Sequence, residues 1–169
     1  MALFDRYACQ LARAWPCALG VSMTAVTNLQ KELAALARRF GVTSVYAFGS
    51  RALEVAARCT GRGPVEGAPA LADVDIAVQP AAGALAAARD RVALADELEK
   101  LFQVPRVDLV LLTEAGAFLA ADAIRGELLY CEDEDRQSRE ELYYLRRAGD
   151  LAPLQHQRLQ SLLTGELQR

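Results

Sequence analysis

Histidine is nearly missing from this chain. The 169 residues contain one, His156, and four cysteines, Cys9, Cys17, Cys59 and Cys131. No two cysteines form a C-x-x-C pair, so the ligand spacing of a zinc site is lacking. A lone imidazole in the polar run Q-H-Q-R is a poor partner for a Ser-His-Asp or Cys-His catalyst, and His156 reads as a surface residue. Unpaired thiols fit a reducing cytoplasm. No apolar run reaches the ~18 residues that cross a bilayer. Asp5, Arg6, Arg13 and Pro16 interrupt the apolar N-terminus, which denies it the continuous core of a signal peptide. An excess of basic charge is also absent: the formal net charge is −3, against the footprint of a general nucleic-acid binder. The expectation is a soluble cytoplasmic protein with no membrane segment.

What is present is enough for one core. The chain is 53% hydrophobic and 24% charged, the balance of one ordinary globular domain rather than a disordered chain. The short clusters Arg38-Arg39 and Arg146-Arg147 read as solvated faces. In residues 1–24, Leu3, Phe4, Tyr7, Leu11 and Trp15 have helical spacing, although Met23 also looks like a natural start, which would make the segment an extension. Val26, Leu29, Leu33, Leu36 and Phe40 share one helical stripe, with Thr24 or Thr27 as cap and Gly41 at the C-terminus.

The run V-T-S-V-Y-A-F reads as a first core strand ending at Gly49-Ser50. Residues 51–59 favour helix, and 60–72 form a Gly/Pro-rich loop. Val74, Ile76 and Val78 alternate with Asp73, Asp75 and Ala77 in a second strand closed by Pro80. A helix over 84–102 would turn Leu85, Val92, Ala95, Leu98 and Phe102 inward. The strand 106–112 is apolar nearly throughout and is expected to be central. A short helix, the strand E-L-L-Y-C and two helical segments, about 137–148 and 154–164, complete the order, with Leu142, Leu145 and Tyr143 as a packing face. This order predicts an α/β (α+β) fold, a small mixed β-sheet flanked by helices. It divides into an extension (1–24), a main domain (25–132) and a helical C-terminal tail (133–169).

Three places carry chemistry. Gly49 lets a ligand approach the backbone, the following helix offers free N–H groups to an anion, and Ser50 and Arg51 add a hydroxyl and a charge. Asp73 and Asp75, two apart on a strand, project to one side and repel unless a cation joins them. Mg²⁺ suits such hard oxygen donors. Asp108 stands among Val107, Leu109, Val110, Leu111 and Leu112. A charge there calls for a metal, a salt bridge to a residue such as Arg106, or water at the strand end.

Taken together, F-G-S-R-A, D-V-D-I-A-V and V-D-L-V resemble the motifs of the DNA polymerase β-like nucleotidyltransferase superfamily. Within it the chain is similar to the minimal nucleotidyltransferases, antitoxin-type partners of HEPN toxins. The likeness spans roughly residues 26–131, and only Ala72, where many members have serine, and a longer Gly-Ser to Asp-x-Asp gap depart from it.

The resemblance implies that Asp73, Asp75 and Asp108 are catalytic and hold two Mg²⁺ ions. It implies too that Gly49, Ser50 and Arg51 bind ATP or another nucleoside triphosphate, and that AMP passes to a hydroxyl of a HEPN-type toxin. The alternatives are transfer to a small, antibiotic-type acceptor, or an antitoxin that works by contact alone. The apolar N-terminus and the Leu/Tyr-rich stretch near 142–145 could each join copies of the chain.

Overall fold

The computed structural model describes residues 27–62 and 73–164. The helix expected within 1–24 and most of the loop 60–72 lie outside the described residues.

Helix α1 (Asn28–Phe40) starts at Thr27, whose hydroxyl accepts from Gln30 N–H while the Gln30 side chain accepts from Thr27 N–H. This reciprocal cap satisfies two amides that the first helical turn leaves open. The Thr27 hydroxyl also donates to the Cys59 carbonyl at 2.5 Å, tying the helix start to the end of a later helix. Gly41, at φ 66°, closes α1 in the left-handed conformation that glycine adopts without strain. Strand β1 (Val42–Phe48) follows at once. A 3₁₀ turn (Gly49–Arg51) then leads into α2 (Ala52–Cys59). Beyond the loop come β2 (Val74–Pro80), α3 (Ala88–Phe102), β3 (Val107–Leu111), α4 (Ala117–Ile124), β4 (Glu127–Cys131) and α5 (Glu134–Thr164).

The four strands form one mixed sheet in the order β3-β2-β1-β4. β1 is antiparallel to both β2 and β4, and β2 runs parallel to β3. On one face Val45, Ala47, Val74, Ile76 and Val78 meet Leu33, Leu36 and Ala37 of α1, Val55 of α2, and Leu94, Leu98 and Phe102 of α3. On the other, Tyr46, Ala77 and Leu112 meet Ala120, Ala123 and Ile124 of α4 and Tyr144 of α5. Among the described residues no helix is long and apolar enough to cross a membrane.

Four expectations are corrected. The apolar strand 106–112 is not central: β3 is an edge. Its Val107, Leu109 and Leu111 join one core cluster and its Val110 packs against the other, whereas sheet position depends on partners that its own sequence does not encode. Val92 is 60% exposed, because α3 packs through Leu94, Leu98 and Phe102, four residues apart, and Val92 stands on the far side of that stripe. The C-terminal region is one helix, not two. It runs through Pro153, whose ring meets the carbonyl of Gly149, four residues earlier; both lie in solvent, where water serves the carbonyl that loses its donor. Finally, Leu142, Tyr143 and Leu145 are exposed, while Gln137, Tyr144 and Ala148 are buried. The packing stripe of α5 is polar, and hydrogen bonds let it sink: Gln137 Nε2 donates to Tyr46 Oη at 2.9 Å, and Tyr144 Oη donates to Gln79 Oε1 at 2.9 Å.

Glu141 completes this latch, accepting from Tyr46 Oη at 3.4 Å and from Gln137 Nε2. Burial raises its carboxyl above the usual range, against the lowering effect of those two hydrogen bonds. A carboxyl raised by folding penalises the native state once it is ionised and stops doing so as pH falls through the folded value. Glu141→Gln keeps an acceptor and removes the charge. It is expected to melt higher than the wild type at pH 8, with the difference shrinking toward pH 4, in thermal melts across pH. A constant difference, or a variant that melts lower at pH 8, would contradict the burial argument.

Candidate active site

The end of the sheet where β1 stops and β2 and β3 begin collects the residues singled out by sequence. Phe48 at the end of β1 pairs with Asp75, and Asp75 pairs with Asp108 across the parallel β2–β3 ladder. Neighbouring strands lie about 5 Å apart, and residues in register share a face. Asp75 and Asp108 are therefore side by side on the face that α4 and α5 cover further along. Asp73 stands just before β2, two residues from Asp75, on the same side. Burial raises the Asp75 carboxyl, and the negative charges of Asp108 and then Asp73 add to the shift.

Gly49 meets this cluster from β1. Its φ is 72°, and a Cβ placed on it would lie 2.3 Å from Asp75 Oδ2. Two separate constraints thus exclude a side chain, the backbone conformation and the carboxylate itself. Ser50 is exposed beside it. Arg51 is placed otherwise. Its side chain is buried, with Nε 2.8 Å from Glu54 Oε2 and Nη2 2.9 Å from Glu54 Oε1. That hydrogen-bonded pair raises the guanidinium and lowers the Glu54 carboxyl. A spacing of three on a helix is the local signal that marks Glu54 as the partner of Arg51.

Two further residues shape the site. Arg106 has Nε 3.7 Å from Asp73 Oδ2, and both Nε and Nη2 3.0 Å from Asp108 Oδ1. The salt bridge weighed for Asp108 is therefore formed, and it takes in Asp73 as well. Glu99 of α3 accepts the Val107 N–H at 3.1 Å, fixing the start of β3 between Arg106 and Asp108. No sequence signal marks Glu99, which acts across a helix-to-strand corner. Among the described residues no three carboxylate, thiol or imidazole side chains are gathered closely enough to hold a metal ion. The donor set nonetheless fits a hard divalent cation: oxygen atoms only, three acids on one face, and a glycine whose lack of a Cβ leaves the Asp75 carboxylate its place.

A family model described as "Polymerase beta, Nucleotidyltransferase" matches residues 30–135. The chain belongs to that family. The matched region runs from α1 to the first turn of α5 and contains every residue of the site. Solved structures share the fold. A tri-AMPylated Shewanella oneidensis HEPN toxin in complex with MNT antitoxin gives a TM-score of 0.57 at 17% identity, covering 80% of this chain and 96% of that one. A toxin–antitoxin structure with AMP-PNP gives 0.54 at 22%, covering 83% and 99%. The toxin–antitoxin MntA–HepT gives 0.52 at 20%, covering 82% and 97%. No curated protein sequence matches the chain.

Proposed function

We propose that this nucleotidyltransferase-family protein is a cytoplasmic antitoxin of the minimal nucleotidyltransferase kind, which transfers AMP from ATP to a hydroxyl of a HEPN-type toxin. The observation that carries the chemistry is Gly49 seated against Asp75, with Asp108 in register beside it. The toxin–antitoxin complexes among the fold neighbours, one AMPylated and one with AMP-PNP, support the choice of acceptor and nucleotide.

In this reading the acceptor oxygen attacks the α-phosphorus in line as the bond to the bridging oxygen breaks and pyrophosphate leaves. Asp73, Asp75 and Asp108 would hold two magnesium ions. When bound, magnesium supplies charge neutralisation for the triphosphate and a lower proton affinity at the acceptor oxygen. Gly49 and Ser50 hold the terminal phosphates through backbone N–H groups and the serine hydroxyl. Arg51 contributes its backbone to the cradle, because Glu54 holds its side chain. Asp108 would receive the acceptor proton. Catalysis rests on positioning and charge rather than on a covalent intermediate.

Incubation with α-labelled ATP, Mg²⁺ and a HEPN-type toxin is expected to label the toxin. EDTA should abolish labelling and added Mg²⁺ restore it. Label that survives EDTA would refute the metal dependence, and a toxin bound but never labelled would leave an antitoxin that acts by contact alone.

A further inference from the structure

The guanidinium of Arg106 lies where a cation would be wanted. It contacts Asp108 Oδ1 with two nitrogens and reaches Asp73 Oδ2 with one of them. Its backbone is pinned from two directions. The Arg106 carbonyl accepts from Val74 N–H at 3.1 Å, and the neighbouring Val107 N–H is held by Glu99. The side chain itself is open to solvent: 64% of it is exposed, against 42% for Asp73 and 45% for Asp108. Asp75, which stands between the other two acids in sequence and pairs with Asp108 in the sheet, has no ion pair among the described residues. Arg106 is therefore anchored at its backbone and solvent-exposed at its charge, two residues before Asp108.

Resting on the carboxylate-site reading above, we propose that Arg106 is the resident counter-ion of this site, which must release Asp73 and Asp108 before a divalent cation can take them. Both cations need the same oxygens, so each excludes the other. While no metal is bound, the guanidinium offsets the repulsion among three acids and keeps Asp73 and Asp108 turned toward itself. This accounts for three acids that share a face without converging on one point. The contacts are exposed ion pairs, weak individually and sensitive to salt, so the exchange is readily reversible. Arg106 is a positioning residue that sets the metal affinity, not a group that touches the reacting atoms.

The probe is Mn²⁺ alone, titrated into the full chain and followed by the electron paramagnetic resonance signal of the free ion. Arg106→Ala and Arg106→Gln are each expected to bind Mn²⁺ roughly three- to tenfold more tightly than the wild type, the worth of two exposed ion pairs. Arg106→Lys, which keeps the charge and loses the fork, should fall between. The metal-free melting temperature of the Ala and Gln variants should drop, and saturating Mn²⁺ should close the gap. Adding Asp75→Asn should remove the binding in every background. Where Arg106→Ala fails to fold, Arg106→Gln, which keeps the stem, gives the reading. Wild-type affinity or weaker in the charge-removing variant overturns the exchange and leaves the carboxylate site standing. No Mn²⁺ binding in the wild type or in either variant overturns both.

Discussion

Gly49→Ala is expected to reduce nucleotidyl transfer by about a hundredfold or more while the protein still folds. The new methyl carbon would stand 2.3 Å from Asp75 Oδ2, far inside van der Waals contact. Either Asp75 turns away or the 3₁₀ turn lifts from the sheet, and both separate the phosphate cradle from the acids. A displacement of about an ångström at a reacting centre is enough for a hundredfold loss. The φ of 72° adds a conformational cost of about 1–2 kcal/mol for a residue with a Cβ. That is a modest part of the stability of a domain, so circular dichroism should report a folded variant melting a few degrees lower. Near wild-type labelling of the toxin by this variant would show that Gly49 does not face the reacting groups.

Asp75→Asn is expected to have the larger effect on transfer and the opposite effect on stability. Losing one anionic ligand from the shared cation site removes several kcal/mol of charge stabilisation, about a thousandfold in rate. In the metal-free protein the same charge is a burden: burial and the charges of Asp108 and Asp73 all act against an ionised Asp75. Asparagine has nearly the same shape without the charge. The variant should melt above the wild type in EDTA, and that advantage should shrink or reverse in saturating Mg²⁺, which only the wild type binds well. A variant that melts lower than the wild type in EDTA would mean that Asp75 has a stabilising partner and is not held for a ligand.

Much of this molecule is legible in one dimension. Local chemistry sets the limits of α1, with its Thr27 cap and Gly41 stop, and the alternation of Val74, Ile76 and Val78 with the acids fixes the face of β2. Gly49, Asp75 and Asp108 were also visible as types at a spacing, because a strand end, a two-residue period and a lone acid in an apolar run are local patterns. What failed to show was global. The burial of Gln137 and Tyr144, in place of Leu142 and Leu145, depends on Tyr46 and Gln79 as partners 91 and 65 residues away. Hydrophobicity alone pointed to the wrong face of α5. The helix passes through Pro153 because that turn stands in water, and exposure is not written in the residues themselves.

By itself the sequence determined the element types, the placing of Asp75 and Asp108 in strands, and the glycine that ends the first strand. The tertiary structure alone decided that β3 is an edge strand and that Asp108 lies in register with Asp75. It also decided that Glu54 holds Arg51, and that Arg106 reaches both Asp73 and Asp108. The physical reason is range. Caps, turns and strand faces follow from neighbours within a few residues, whereas pairing and charge contact depend on which distant segments the shared core brings together.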